Sequence, residues 1–259
     1  MPFVLKLLLV PSLIALVTLA GRRWGPSVAG WLSAFPIVAG PILLAIALEQ
    51  GTDFAAVAAA NTLLAVLAIV VFSIVYARSA ARPSAGVARC LAAALLAWGL
   101  AVAVLQGVHL PTWLAFGAVL ASLLAAPRLI GPAPAPVAAN ARPARDLPWR
   151  MLAGAVLTVT VTLAAGGLGP ELSGLFAMFP VMSTVLVGFS HRASGPGFAV
   201  ALLRGMVAGY FAFAVFCLVL ALLLPGRGPG LPFMAATVCA LAVQLAIRVI
   251  TQPRSRGMQ

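Results

Sequence analysis

Apolar residues along this chain come in long unbroken runs rather than in alternation. The runs lie near 3–20, 27–48, 54–77, 88–106, 111–127, 150–167, 171–189, 197–224 and 231–250, and the short gaps between them hold most of the arginines. Each run is long enough to cross a hydrocarbon core of about 30 Å as a helix. Lipid supplies no partner for backbone N–H and C=O groups, so a spanning segment must satisfy them within itself. A β-barrel would instead read as short segments of strict alternation, which these runs are not. The pattern predicts an all-α polytopic membrane protein of about nine transmembrane helices.

Prolines interrupt the runs in a repeated way. The string "GPSVAGWLSAFPIV" at 25–38 returns as "GPELSGLFAMFPVM" at 169–182. At an offset of 144 the two halves match without a gap for about sixty residues: Val17-Thr18-Leu19-Ala20 falls on Val161-Thr162-Leu163-Ala164, Gly25-Pro26 on Gly169-Pro170, and Gly30 on Gly174. Phe35-Pro36 likewise falls on Phe179-Pro180, Phe54-Ala55 on Phe198-Ala199, and Val71-Phe72 on Val215-Phe216. Apolar residues coincide easily by chance, but two Gly-Pro and two Phe-Pro pairs in register do not, so the chain reads as an internal duplication. An odd number of spans, five, separates the starts of the copies, so the second copy enters the membrane inverted. Inverted-topology repeats are characteristic of secondary transporters, whose sites lie near the midplane between the halves. The expected organisation is a first membrane half over 1–127, a Pro/Ala/Arg-rich linker over 128–149, and an inverted second half over 150–259. The first twenty residues have the look of a signal peptide, but their "VTLA" has an internal copy, so a retained span is expected.

Composition agrees and narrows the classes. The chain is 63% hydrophobic and 8% charged, with mean hydropathy +1.15; soluble domains carry about 25% charged residues. The net charge of +12 would suggest nucleic acid in a soluble protein, but these basic residues form no dense patch with interleaved aromatics. With the N-terminus outside, 13 of the 16 basic residues fall in cytoplasmic segments, and Glu49, Asp53 and Glu171 at the outer face. That is the positive-inside bias, and it predicts N-out, C-in in a bacterial inner membrane. Cys90, Cys217 and Cys239 all lie within apolar runs without metal-ligand spacing, and read as small core residues. No cofactor and no metal is expected.

A resemblance adds to this. The stretch "VAGWLSAFPIVAGPILLAIALEQGTDFAAVAAANTLLA" resembles the GlpM family of small bacterial inner-membrane proteins in its Ala-Gly step, its Phe-Pro in the second helix and its acidic-to-Gly turn before the third. The match covers 10–76, and 154–220 more loosely, so the chain is similar to two such units fused in opposite orientations. In the second copy "EQGTD" gives way to the region of "SHRASGPG", a departure from the pattern. The resemblance implies an inner-membrane location and a link, in one branch, to exopolysaccharide production; it implies no agreed substrate.

Chemistry-bearing residues within the runs are few. Pro36 and Pro180 lack the N–H that would bond a carbonyl four residues back, which frees the acceptors of Leu32 and Phe176. Ser183 and Thr184 place hydroxyls beside the second proline. These residues line a midplane site if the helices are truly broken there; if they are only kinked, Gly30 and Gly174 serve as close-packing points. Asn61 and Arg204 are near-equivalent polar positions in the two halves. An intramembrane Arg costs at least about 2.5 kcal/mol and marks a functional site, unless its long stem carries the charge to the surface. Mid-span acids are absent, His109 and His191 are placed in loops on opposite sides, and no Ser/His/Asp set or P-loop exists, which argues against an enzyme. The function expected is a small permease for an anionic or polar solute, with Pro36, Pro180, Ser183, Thr184, Asn61 and Arg204 as its site. The alternative is a non-transporting factor supporting envelope or exopolysaccharide assembly. Partners are the lipid bilayer and a small solute, with a homodimer as a further option and no nucleic acid.

Overall fold

The computed structural model describes residues 2–37, 39–82, 86–108, 110–132, 146–167 and 179–251. Its elements among these are α1 (Pro2–Trp24), α2 (Pro26–Ser33), α3 (Ala39–Gln50), α4 (Thr52–Ala80), α5 (Val87–Gln106), α6 (Thr112–Ile130), α7 (Leu147–Gly167), α8 (Val181–Leu223) and α9 (Gly230–Thr251). Among the described residues five stretches are long and apolar enough to cross a membrane: Thr52–Ala80, Val87–Gln106, Thr112–Ile130, Val181–Leu223 and Gly230–Val249. The protein is an all-helical integral membrane protein.

Two kinds of break shape it. Gly25, Gly51 and Gly195 have φ of 90°, 93° and 82° with ψ of 170°, 162° and 173°. Only glycine enters this region without strain. Pro26 and Pro196 then occupy the first turn of the following helix, where a missing N–H costs nothing. At Gly25 the chain doubles back, so that Gly21 of α1 faces Ala29 of α2. At Gly195 it does so again. The Ser183 hydroxyl lies 3.7 Å from Met206 Sδ and 3.4 Å from Tyr210 Oη, whereas 23 residues of straight helix would separate Ser183 and Met206 by about 35 Å. α8 is therefore a helical hairpin with limbs 181–194 and 196–223.

Phe-Pro makes the second kind of break. The Ile37 N–H donates to the Phe35 carbonyl (2.7 Å), and the Val181 N–H donates to the Phe179 carbonyl (2.8 Å). Pro180 at the centre has φ −79° and ψ 61°, an inverse γ-turn. Helix then resumes, with Gly40 N–H bonded to Pro36 O (2.8 Å) and Thr184 N–H to Pro180 O (2.9 Å). The apolar run 27–48 is consequently two helices of 8 and 12 residues, not one kinked span. Pro180 caps the start of α8 rather than sitting within a helix, and residues 168–178 lie outside the described set.

The inner pair is α4 and α8. Half of the apolar window of α8 and 44% of that of α4 are buried, against 22% for α5 and for α9. Around them α5 and α6 pack on α4, α2 and α9 pack on α8, and α1 pairs with α7. α4, at 29 residues, is about 43 Å long. The α3–α4 turn at Gly51 meets its first residues. Its last turn carries Tyr76, bonded to His191 near the end of the first limb of α8. α3 and that limb thus run toward opposite ends of α4. The expected linker is shorter than 128–149: α6 continues to Ile130 and α7 starts at Leu147, while 133–145 lie outside the described residues.

Candidate functional site

Hydroxyls gather beside the Phe179-Pro180 turn. Pro36 and Pro180 are both buried. Ser183 is buried and shares a contact with Tyr210 and Met206 from the opposite limb of the hairpin. The Thr184 hydroxyl oxygen is buried with no partner. Trp98 of α5 stands edge-on to Phe179 at 5.3 Å, and its indole N–H is buried and unbonded as well. Native interiors pair nearly all such groups, so unpaired donors and acceptors call for an explanation. At the first turn the matching position is Gly40, packed toward the Phe216 ring; the Trp31 indole N–H and the Gln244 amide oxygen, where α9 meets α2, are likewise buried without partners.

The other expected site residues are elsewhere. Arg204 is exposed, with Nη2 3.5 Å from the Pro127 carbonyl at the end of α6; its charge has reached a surface groove instead of the bundle interior. Asn61 is exposed on α4 and bonds to neither Ser183 nor Thr184. The acceptor expected to be free at Leu32 is taken by the Phe35 N–H at 3.3 Å, because the chain turns there instead of continuing as helix. Phe176 and Gly174 lie outside the described residues. Gly30 lies where α2 crosses the second limb of α8: a methyl on it would run into the Leu202 carbonyl and the Met206 N, while one on Gly209 would come within 2.7 Å of the Trp31 carbonyl. Gly205 and Gly209 supply the small faces that let the backbones approach this closely. The Gln244 amide of α9 reaches in to donate to Trp31 O at 3.0 Å.

A polar network at the arginine-rich end is barely signalled by the sequence. Asp146 accepts from Arg22 (2.7 Å) and from Arg150 Nη2 (2.8 Å). Arg150, only 6% exposed, also donates to the Ser190 hydroxyl at 3.1 Å and lies over the Phe189 ring. His191, expected in a loop, is buried in α8 with Nδ1 2.8 Å from Tyr76 Oη. The network joins α1, α4, α7 and α8, elements distant in sequence. Its one sign along the chain is that Asp146 alone among the acids lies amid arginines. At the opposite end, Gly226 N–H donates to Asp53 Oδ1 at 3.4 Å. Among the described residues no cluster of His, Cys, Asp or Glu is suited to a metal.

Comparison with family models, with curated proteins and with solved structures finds no match to this chain.

Proposed function

We propose that the protein is a small secondary transporter of a polar solute in a bacterial inner membrane, with its site at the paired Phe-Pro turns. The observation that carries this reading is the identity of the two breaks. Phe35-Pro36-Ile37 and Phe179-Pro180-Val181 make the same short turn and restart helix with the same bond, 144 residues apart. Gly51 and Gly195, related by the same offset, share one rare backbone conformation. The matched segments α3 and 181–194 run to opposite ends of α4, as an inverted repeat requires. Discontinuous membrane helices at a repeat interface are where transporters hold substrates, because unwound backbone and freed polar groups face a cavity.

In this reading Ser183, Thr184, Tyr210 and the Trp98 indole N–H bind a solute through hydrogen bonds, and the halves rock about the Pro36 and Pro180 turns. With Arg204 outside this locus, a neutral polar solute suits it better than an anion. The N-terminus is outside, and the arginine-rich end, with the linker, is cytoplasmic. The duplicated unit is GlpM-like.

Alternating access supplies the test. Single cysteines at Ser183 and Gly40, in otherwise cysteine-free protein, are expected to react with impermeant maleimides from either side of proteoliposomes. A transported polar solute in the panel should protect Ser183→Cys. Counterflow driven by that solute should fall on Thr184→Val without loss of folded protein. Labelling from neither side, together with no uptake across a panel of neutral and anionic solutes, would refute transport. It would favour a membrane factor acting through an envelope-assembly partner.

A further inference from the structure

The arginine-rich end holds a second feature that transport does not use. Leu124, Pro127, Arg128, Gly131, Pro132 and Arg204 line an open groove of about 710 Å³ between the end of α6 and the second limb of α8. Gly131, at φ 75°, turns the chain away where α6 stops and leaves the last carbonyls of that helix uncovered. Two arginines cover them: Arg78 Nε donates to Leu129 O at 2.8 Å and Arg204 Nη2 to Pro127 O at 3.5 Å. Cations at a helix C-terminus oppose its dipole, but each guanidinium has five donors, and the Arg204 bond engages one.

Charge balance then points outward. The acids among the described residues are Glu49, Asp53 and Asp146. Asp146 is engaged by Arg22 and Arg150, and Asp53 is at the other end of α4. Arg128 and Arg204 are both exposed, and among the described residues neither pairs with a carboxylate. Trp24 and Trp149, 61% and 64% exposed at the same end, stand as aromatic anchors that mark the headgroup level. The groove therefore offers two guanidinium groups without a carboxylate partner, at the end of the bundle that carries the exposed Trp24 and Trp149, beside an apolar wall of Leu124 and Pro127.

We propose that this groove binds a phosphate group carried by an anionic phospholipid, held by Arg128 and Arg204 with the acyl chain along Leu124. Guanidinium forks match phosphate oxygens, and basic pockets between membrane helices favour such headgroups. The site stands independently of the transport reading.

Native mass spectrometry of delipidated protein in neutral detergent tests it, with phosphatidylglycerol titrated against phosphatidylcholine of the same acyl chains. The expected result is preferential retention of one phosphatidylglycerol. Its apparent affinity should fall about ten- to thirtyfold in R128Q/R204Q, fall by less in R128K/R204K, where the charge stays but the fork is lost, and be unchanged in R23Q, an exposed arginine outside the groove. If the double variant does not fold, R128Q and R204Q singly carry the same expectation at a smaller loss. Equal retention of the two lipids, or equal losses in R23Q and R128Q/R204Q, would overturn the site in favour of diffuse surface charge. Displacement of the lipid by millimolar inorganic phosphate, with equal thermal protection by either, would overturn the lipid assignment and make the ligand a soluble phosphate.

Discussion

The crossing of α2 with the second limb of α8 should tolerate no added methyl. Membrane helices gain little from hydrophobic burial against one another, since lipid is as apolar as the partner; close van der Waals contact holds them. At Gly30 an alanine Cβ would collide with the Leu202 carbonyl, and at Gly205 with the Ser27 carbonyl. The opposing atoms are backbone, so relief requires the helices to separate by about 1 Å or more along the shared face. Overpacking of this kind costs about 1–3 kcal/mol. Against it stands the intrinsic preference of a helix for Ala over Gly, about 0.5–1 kcal/mol, which leaves a net loss of up to about 2.5 kcal/mol at either site. Gly99 in α5 and Gly117 in α6 are the controls, because a Cβ there meets nothing within 4 Å; alanine at these positions should be neutral or stabilising. Thermal unfolding in detergent, read by the loss of monodisperse protein on size exclusion, should rank Gly30→Ala and Gly205→Ala below wild type and Gly99→Ala at or above it. The double variant should lose less than the sum, since one displacement of α2 relieves both collisions. Four variants with the same midpoint, or strict additivity of the pair, would refute the close-crossing argument.

Other positions carry sharper local expectations. Asp146→Asn leaves the buried Arg150 without its carboxylate and should cost about 2–4 kcal/mol; Asp146→Asn combined with Arg150→Gln should recover part of that loss in the same unfolding assay. Gly195→Ala forces a side chain into a backbone region that glycine alone tolerates, and should destabilise by about 1–3 kcal/mol. A disulfide between Ser183→Cys and Met206→Cys should form readily with Gly195 in place and poorly with Gly195→Ala. Tyr76→Phe removes the hydroxyl bonded to His191 Nδ1 and should cost about 1–3 kcal/mol, while Tyr210→Phe, whose hydroxyl lies at a long 3.4 Å from Ser183, should cost less. A cysteine placed within the 133–145 stretch should resist an impermeant reagent added outside intact cells, and labelling there would overturn the N-out orientation.

Periodicity and composition alone determined the class of this protein. Continuous apolar runs in a chain with few charges admit only membrane helices, because lipid leaves the backbone no other way to satisfy its bonds. The Phe-Pro breaks were legible too: the dipeptide has restricted backbone choices wherever it occurs, so the offset of 144 residues marked Pro36 and Pro180 as matching positions before any packing was known. Which break makes which turn was not legible. Gly-Pro reverses the chain and Phe-Pro inserts a tight turn, and hydropathy did not decide whether the run 27–48 was broken or only kinked at Pro36, since it averages over a turn that contains no polar residue. Arg204 was ambiguous for a similar reason, because its depth in a helix does not say where a long side chain ends; the tail of α6 drew it into a groove. Asp146, Arg150, Ser190, Tyr76 and His191 were individually unremarkable in the sequence. Their bonds join four helices, and such pairings arise only when tertiary packing brings those helix ends together, where burial makes an unpaired charge too costly to leave.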